Sequence, residues 1–303
     1  MQALFWNAPM TTPNSKTNLI SNLISLVDDR DEFVRKKVRE QLIGLGDDAV
    51  PFLEIAAKTE NPEVKLITLE IIKAIAPKQL LEKFKQLARS SPSGHWDLET
   101  GVILLQEFGY PDKETDDIIR SLDLLAKEVF DITKQKSPKQ AVEALTHFLF
   151  FEKGFEGNTI DFLNPDNTYF SRMLKQKKGI PITLTALCVF IGQRIGLPIV
   201  GIGLPGRYIA KYDSLTQPIY FDPFDKGRIL SADDCAKLTE TMGYRFEEHY
   251  LIAATSRETL TRMMNNLIVI YNKTSEPEKA NHLSDFIKVL SGSPKKISPN
   301  RPS

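Results

Sequence analysis

A chain of 303 residues is long enough for two or three packed units, and 42% hydrophobic with 26% charged residues is ordinary for a globular protein. Lys+Arg and Asp+Glu each number 39, so the formal net charge is zero. Such a balance supplies no long-range field to gather nucleic acid or an anionic membrane, and neither is expected as a partner.

The two cysteines, Cys188 and Cys235, are far apart in a chain that needs no staple. That usage fits a reducing compartment and argues against a secreted disulfide scaffold. MQALFWNAPM has no basic region followed by an apolar run, so no signal peptide is expected. The stretch Ile180 to Ile191 is interrupted by Pro181, Thr183 and Thr185 and falls short of a membrane span. A cytoplasmic protein is expected. The oligomeric state has no signature in the sequence.

Residues 1–14 are expected to be a flexible arm carrying Leu4, Phe5 and Trp6. From Asn18 to about Ala76 apolar residues recur at helical spacing. Val34-Arg35 recurs thirty positions on as Val64-Lys65, each after a turn, at Asp31 and at Asn61-Pro62. Between them Val50-Pro51 restarts a helix. The run VRKKVREQLIGLGDDAVPFL resembles HEAT-type repeats; an ordinary helical bundle is the alternative, and either makes a surface rather than a catalyst.

Ser90-Ser91-Pro92-Ser93-Gly94 is a breaker cluster and marks a boundary. Helices are then predicted over Asp97 to Phe108, stopped by Gly109 in a left-handed conformation, and over Glu114 to Lys134. Another starts at Ser137-Pro138 and closes at Gly154. Turn formers crowd Gly157 to Asn167, ahead of a short helix from Tyr169 to Lys175. The helix from Pro181 to Ile195, stopped by Gly196, is apolar nearly all round and must be buried on all sides. Three strands follow, Ile199 to Leu204, Arg207 to Tyr212 and Ile219 to Asp222. Ser231 caps a helix with Asp233 and Asp234 in its first turn. Thr255 and Glu258 form a capping box for a helix to about Asn272, and a partner helix runs from Pro277 to Leu290.

Three runs, FEKGFEGNTIDFLNPDNTYFSRMLKQKKGIPITL, RIGLPIVGIGLPGRY and PIYFDPFDKGRILSADDC, occur in an order that resembles the SirB-type branch of the transglutaminase-like superfamily, over roughly His95 to Tyr271. The resemblance implies an α+β, predominantly α fold, with a transglutaminase-like (papain-like) core of a buried helix on a small antiparallel sheet. Helical repeats flank it. The expected layout is an arm over 1–14, a HEAT-like domain over 15–90, the transglutaminase-like domain over 95–254, a tetratricopeptide-like hairpin over 255–292 and a disordered tail over 293–303.

The resemblance also implies a chemistry. In the superfamily a cysteine at the N-terminus of the buried helix becomes a thiolate nucleophile, a histidine on the adjacent strand moves the proton, and an aspartate orients it. Fifteen positions before Gly196, where the cysteine would stand, this chain has Pro181. After the Pro-Gly turn, where SirB-type relatives usually keep a histidine, it has Arg207. A guanidinium cannot act as a general base. Only Asp222 matches its role. Arg207 and Asp222 are therefore expected to pair, either as a structural ion pair or as an anion pocket.

Other groups offer little. Thr183 and Thr185 lie in the helix's first turns without an evident base, and Cys188 is two turns deeper among apolar neighbours. Cys235 gains from its helix dipole and loses to Asp233 and Asp234. His95, His147, His249 and His282 are scattered, and no metal or cofactor motif is present. Asn158, Asp161, Asn164, Asp166 and Asn167 lack EF-hand spacing and read as turn chemistry. Arg172, Lys175, Lys177 and Lys178 make only a modest basic patch.

The expected function is a non-catalytic protein or peptide binder. Its cleft candidates are Arg207, Tyr208 and Asp222, with Asn158, Asp161 and Thr183. The rival is an amide hydrolase or acyl transferase whose nucleophile has moved to Thr183, Thr185 or Cys188.

Overall fold

The computed structural model describes residues 13–111 and 115–292. The expected tail, and the arm up to residue 12, lie outside the described residues. The chain divides into two compact units, Met1–Glu82 and Lys83–Ser303.

In the first unit, α1 (Pro13–Ile24), α2 (Glu32–Leu45), α3 (Val50–Ala56) and the start of α4 (Pro62–Ser90) follow one another. Asp31 caps α2, its carboxylate accepting from the Phe33 N–H at 2.8 Å. Ile20, Leu23, Val38, Leu42, Leu53 and Ile71 close into one apolar cluster. The helical pattern was expected to end near Ala76, yet α4 continues through Pro77 to Ser90. A proline removes one helical N–H and crowds the carbonyl four residues back, at about 3 kcal/mol. Helix-forming neighbours and the burial of Ile75, Leu80 and Phe84 outweigh it.

The second unit is built around α9 (Pro181–Ile195), where eleven consecutive residues from Ile182 to Gly192 are buried. Pro181 occupies its first position and Gly196 (φ 75°) ends it. Around α9 stand α5 (Leu98–Gly109), α6 (Thr115–Thr133), α7 (Pro138–His147) and α8 (Phe170–Gln176). A two-residue parallel pair, β1 (Glu156–Gly157) with β2 (Lys178–Gly179), ties the loop before α8 to the entry of α9. The main sheet is an antiparallel meander of β3 (Ile199–Ile202), β4 (Ile209–Tyr212), β5 (Ile219–Asp222) and β6 (Arg228–Leu230). Ala210 faces Phe221 across its centre. The fold is thus predominantly α with a small antiparallel sheet. After α10 (Ala232–Thr241), the antiparallel pair α11 (Ser256–Lys273) and α12 (Pro277–Ser291) packs onto α5.

Three expectations need correcting. The helix from Pro138 stops at His147 and widens into a π-turn over Phe148–Glu152, rather than running to Gly154. Phe148, Leu149 and Phe150 are all buried, and three successive large side chains cannot share one face of a regular α-helix. The strand at Arg228–Leu230 was not foreseen, because three residues carry no period. Gly109 does end α5, but not by a left-handed turn: the Tyr169 ring lies where its Cβ would be, 2.3 Å from the nearest ring carbon. Gly109→Ala is therefore expected to destabilise the protein by about 1–3 kcal/mol through overpacking, read as a lowered urea midpoint. An unchanged midpoint would show that Tyr169 can yield.

The α11 entry is tied across a long sequence interval. The Ser256 hydroxyl donates to the Trp96 carbonyl at 2.6 Å, and the Arg257 N–H to the Gly94 carbonyl at 3.1 Å. Phe286 of α12 meets Phe84 and Phe108 at ring distances of 4.8 and 5.5 Å. Arg194, at the end of α9, makes a two-pronged pair with Glu99 at 2.6 and 2.8 Å and reaches Asp123 at 2.7 Å. Among the described residues no helix is long and apolar enough to cross a membrane.

Candidate functional site

The sheet brings Arg207 and Asp222 together at the end of β5. Arg207 sits in the turn before β4, and its Nε and Nη2 donate to the same Asp222 oxygen at 2.9 and 2.6 Å. The other Asp222 oxygen accepts from the backbone N–H groups of Phe224 and Asp225 at 2.9 and 3.3 Å. Asp222 is fully buried, while the Arg207 side chain is 19% exposed. The carboxylate is thus held by one cation and two amides, a fully satisfied arrangement in low dielectric. Proton transfer by a triad needs an imidazole at that carboxylate; a guanidinium fills the place.

Phe224 completes this cluster. Its ring lies under the Arg207 guanidinium at 4.9 Å and meets Phe162 edge-on at 6.2 Å. It rests on Gly157, whose missing Cβ would stand 2.6 Å from a ring carbon. Glycine is required there by close approach, not by backbone angle. Sequence reasoning did not single out Phe224, although YFDPF places an aromatic two residues beyond the aspartate.

Asn158 and Asp161 lie in the adjacent loop and build it rather than point into a cleft. Asn158 is buried, and its side-chain amide donates to Asn167 at 2.9 Å while its oxygen takes the Asp161 N–H at 3.0 Å. Asn167 in turn donates to the Asp161 carbonyl at 2.7 Å, and Asn164 to the Asp161 carboxylate at 2.8 Å. On this braced loop Ile160, Phe162 and Leu163 are exposed, Ile160 at 93%. A rigid backbone thereby presents an apolar lip beside Phe224.

Tyr208 is not part of the Arg207 cluster and packs toward α11 instead. Its hydroxyl pairs with Thr259 at 2.7 Å, and burial pushes its phenol up to about 12. Arg262 of α11, also unforeseen, holds the turn from behind. Its Nη2 donates to the carbonyls of Leu204 and Arg207 at 2.9 and 3.0 Å, and burial lowers its basicity.

The possible nucleophiles are closed off. Pro181 is a plain helix opener. Thr183 is fully buried, and its hydroxyl has no partner among the described residues. The Thr185 hydroxyl reaches the Tyr208 carbonyl at 3.5 Å. Cys188 is fully buried mid-helix, and that burial raises its thiol far above the ordinary range. Cys235 is also buried; desolvation first, then the Asp234 and Asp222 charges, push its thiol up to about 12. Its nearness to Asp222 was not legible in the sequence. Among the described residues no group of three or more His, Cys, Asp or Glu side chains could hold a metal ion.

These features define a predominantly helical α+β domain whose sheet end carries an Arg–Asp pair against a buried helix. Residues 116–265, just under half of the chain, match the transglutaminase-like superfamily, and this stretch is a domain of that superfamily. A UPF0162 protein of Xylella fastidiosa (strain 9a5c) is 26% identical over 215 residues, covering 68% of this chain and 73% of its own. One from Vibrio cholerae is 28% identical over 137 residues, 45% of this chain and 50% of the relative. Human F-box only protein 21 is 26% identical over 156 residues, 49% of this chain but 24% of that longer protein. No solved structure matches the chain.

Proposed function

We propose that this protein is a non-catalytic member of the SirB-type branch that binds a protein or peptide at the Arg207–Phe224 cluster. The observation carrying this reading is the guanidinium of Arg207 locked onto buried Asp222, where an imidazole would be needed for acyl transfer. The braced lip of Ile160, Phe162 and Leu163 adds apolar contact area beside it. HEAT-like packing of the first four helices and a tetratricopeptide-like α11–α12 pair would supply further contact faces, as helical arrays commonly do.

The rival, an amide hydrolase or acyl transferase with a relocated nucleophile, has the burial of Thr183 and Cys188 against it. A peptide array probed with the intact protein tests the proposal. Defined peptides should be retained, and Ile160→Glu with Phe162→Ser should weaken them at least tenfold without moving the thermal midpoint. Retention unchanged by the lip substitutions would remove this cluster as the binding face. Amide turnover or hydroxylamine exchange above background would sink the non-catalytic reading.

A further inference from the structure

We infer that the groove between α6 and α8 is a separate site for a medium-chain carboxylate, an anion with an apolar tail. A cavity of about 260 Å³ lies there. Ile118, Leu124 and Leu125 of α6, with Phe155 and Leu174, form its apolar walls. Ile118 and Phe155 are buried in its floor, and Leu124 stands 56% exposed at its rim. An apolar cavity of about 150 Å³ accepts benzene, so this one has room for about ten non-hydrogen atoms. That is the size of octanoate, and too little for a helical segment of another protein.

The charges at the rim decide the head group. Asp117, Glu128, Lys153, Lys175 and Lys177 line the groove. Asp117 faces Arg120 at 3.3 Å, and Glu128 pairs with Lys153. Lys175 is engaged as well. Lys177 is different. Its ammonium donates to the Lys153 carbonyl at 2.5 Å, and among the described residues no carboxylate lies within ion-pair distance of it. That bond holds Lys177 beside Lys153, and so at the Glu128 end of the groove. One ammonium without a counter-charge stands at the end of a leucine-walled trough. Its charge complement is a single anion carrying an apolar tail.

A carboxylate suits the site better than other heads. A cationic head would meet Lys177 as a like charge, and a dianion would bring a second charge that the paired lysines do not answer. The wall hydroxyls are engaged: Ser121 donates to the Asp117 carbonyl at 2.6 Å, and Ser171 accepts from the Gln106 amide at 2.8 Å. The tail leaves water while the head stays at the wet rim. Affinity therefore comes mostly from the tail, and the choice of sign from the ammonium. This site shares no residue with the Arg207 cluster, so neither proposal stands or falls with the other.

Equilibrium dialysis of the intact protein against radiolabelled octanoate at low salt reads the binding directly. One saturable octanoate per chain is expected, with octylammonium held more weakly by about fivefold or more. Leu124→Ser removes apolar wall and should weaken octanoate and octan-1-ol alike, by about threefold or more. Lys177→Gln keeps a donor for the Lys153 carbonyl; it should weaken octanoate by about twofold to fivefold and leave octan-1-ol unchanged. Phe162→Ser, on the lip beside Phe224, should leave octanoate binding as it was. Octanoate unbound up to its micellar limit overturns the site. So does equal retention of octylammonium, an affinity indifferent to Leu124→Ser and Lys177→Gln, or a loss on Phe162→Ser.

Discussion

Arg207→Met should cost about 3 kcal/mol in urea unfolding, because it strands a buried carboxylate. The Asp222 oxygen that took both guanidinium bonds would lose its charge partner, while the backbone bonds from Phe224 and Asp225 remain and temper the loss. Asp222→Asn should cost less: the amide oxygen can still take those two N–H groups, and Arg207 can turn toward water. The double variant should be more stable than the sum of its parts by at least about 1–2 kcal/mol, since neighbours in one network are not additive. Unfolding is followed by Trp96 fluorescence in a Trp6→Phe background. Additive losses, or an Arg207→Met effect below about 1 kcal/mol, would reduce the pair to a surface contact.

The second large effect concerns the thiols. With Cys235 pushed up to about 12 and an ordinary thiol near about 8.5, its thiolate fraction at neutral pH falls by about three orders of magnitude. Alkylation of native Cys188 and Cys235 should therefore be at least a thousandfold slower than in the urea-unfolded chain. A thiol reacting faster when folded would reopen the enzyme reading. The same shift has a pH consequence. The folded state holds the Cys235 proton after the unfolded chain has released it, so stability is intact below about pH 8.5 and declines above it. Up to about pH 12 each such thiol removes about 1.4 kcal/mol per pH unit. A Cys235→Ala variant should flatten that alkaline decline, measured as the urea midpoint against pH.

What the sequence disclosed follows from where the determining forces act. The ends of α9 were legible because Pro181 and Gly196 act locally on their own backbone. The same holds for the Ser137–Gln140, Ser231–Asp234 and Thr255–Glu258 capping boxes; the last two were read at least in part, while Gln140 was not. The continuation of α4 past Pro77 and the π-turn at Phe148 were hidden, since burial by distant chain decides both. At the site, Arg207 and Asp222 were found through resemblance, and the fourteen intervening residues fold back to join them. Phe224, Gly157 and Arg262 were missed for one reason. Each matters only through what it touches, and no period or spacing announces a ring lying on a glycine or a guanidinium behind a turn.

The ties of Ser256 to Trp96 and of Arg257 to Gly94 bear on the order in which the molecule can be made. The groups they join are separated by more than 150 residues, so the wall that covers Trp96 arrives only after that much further chain has been made. Until then α5 and the central helix hold apolar faces that nothing downstream has yet covered. Contacts of such long range also slow the final closure, because a large loop must be ordered before any of them forms. A ribosome-bound chain ending before α11 should accordingly be an open, protease-sensitive and chaperone-dependent species, and release of the last two helices should convert it to the native domain in one late step.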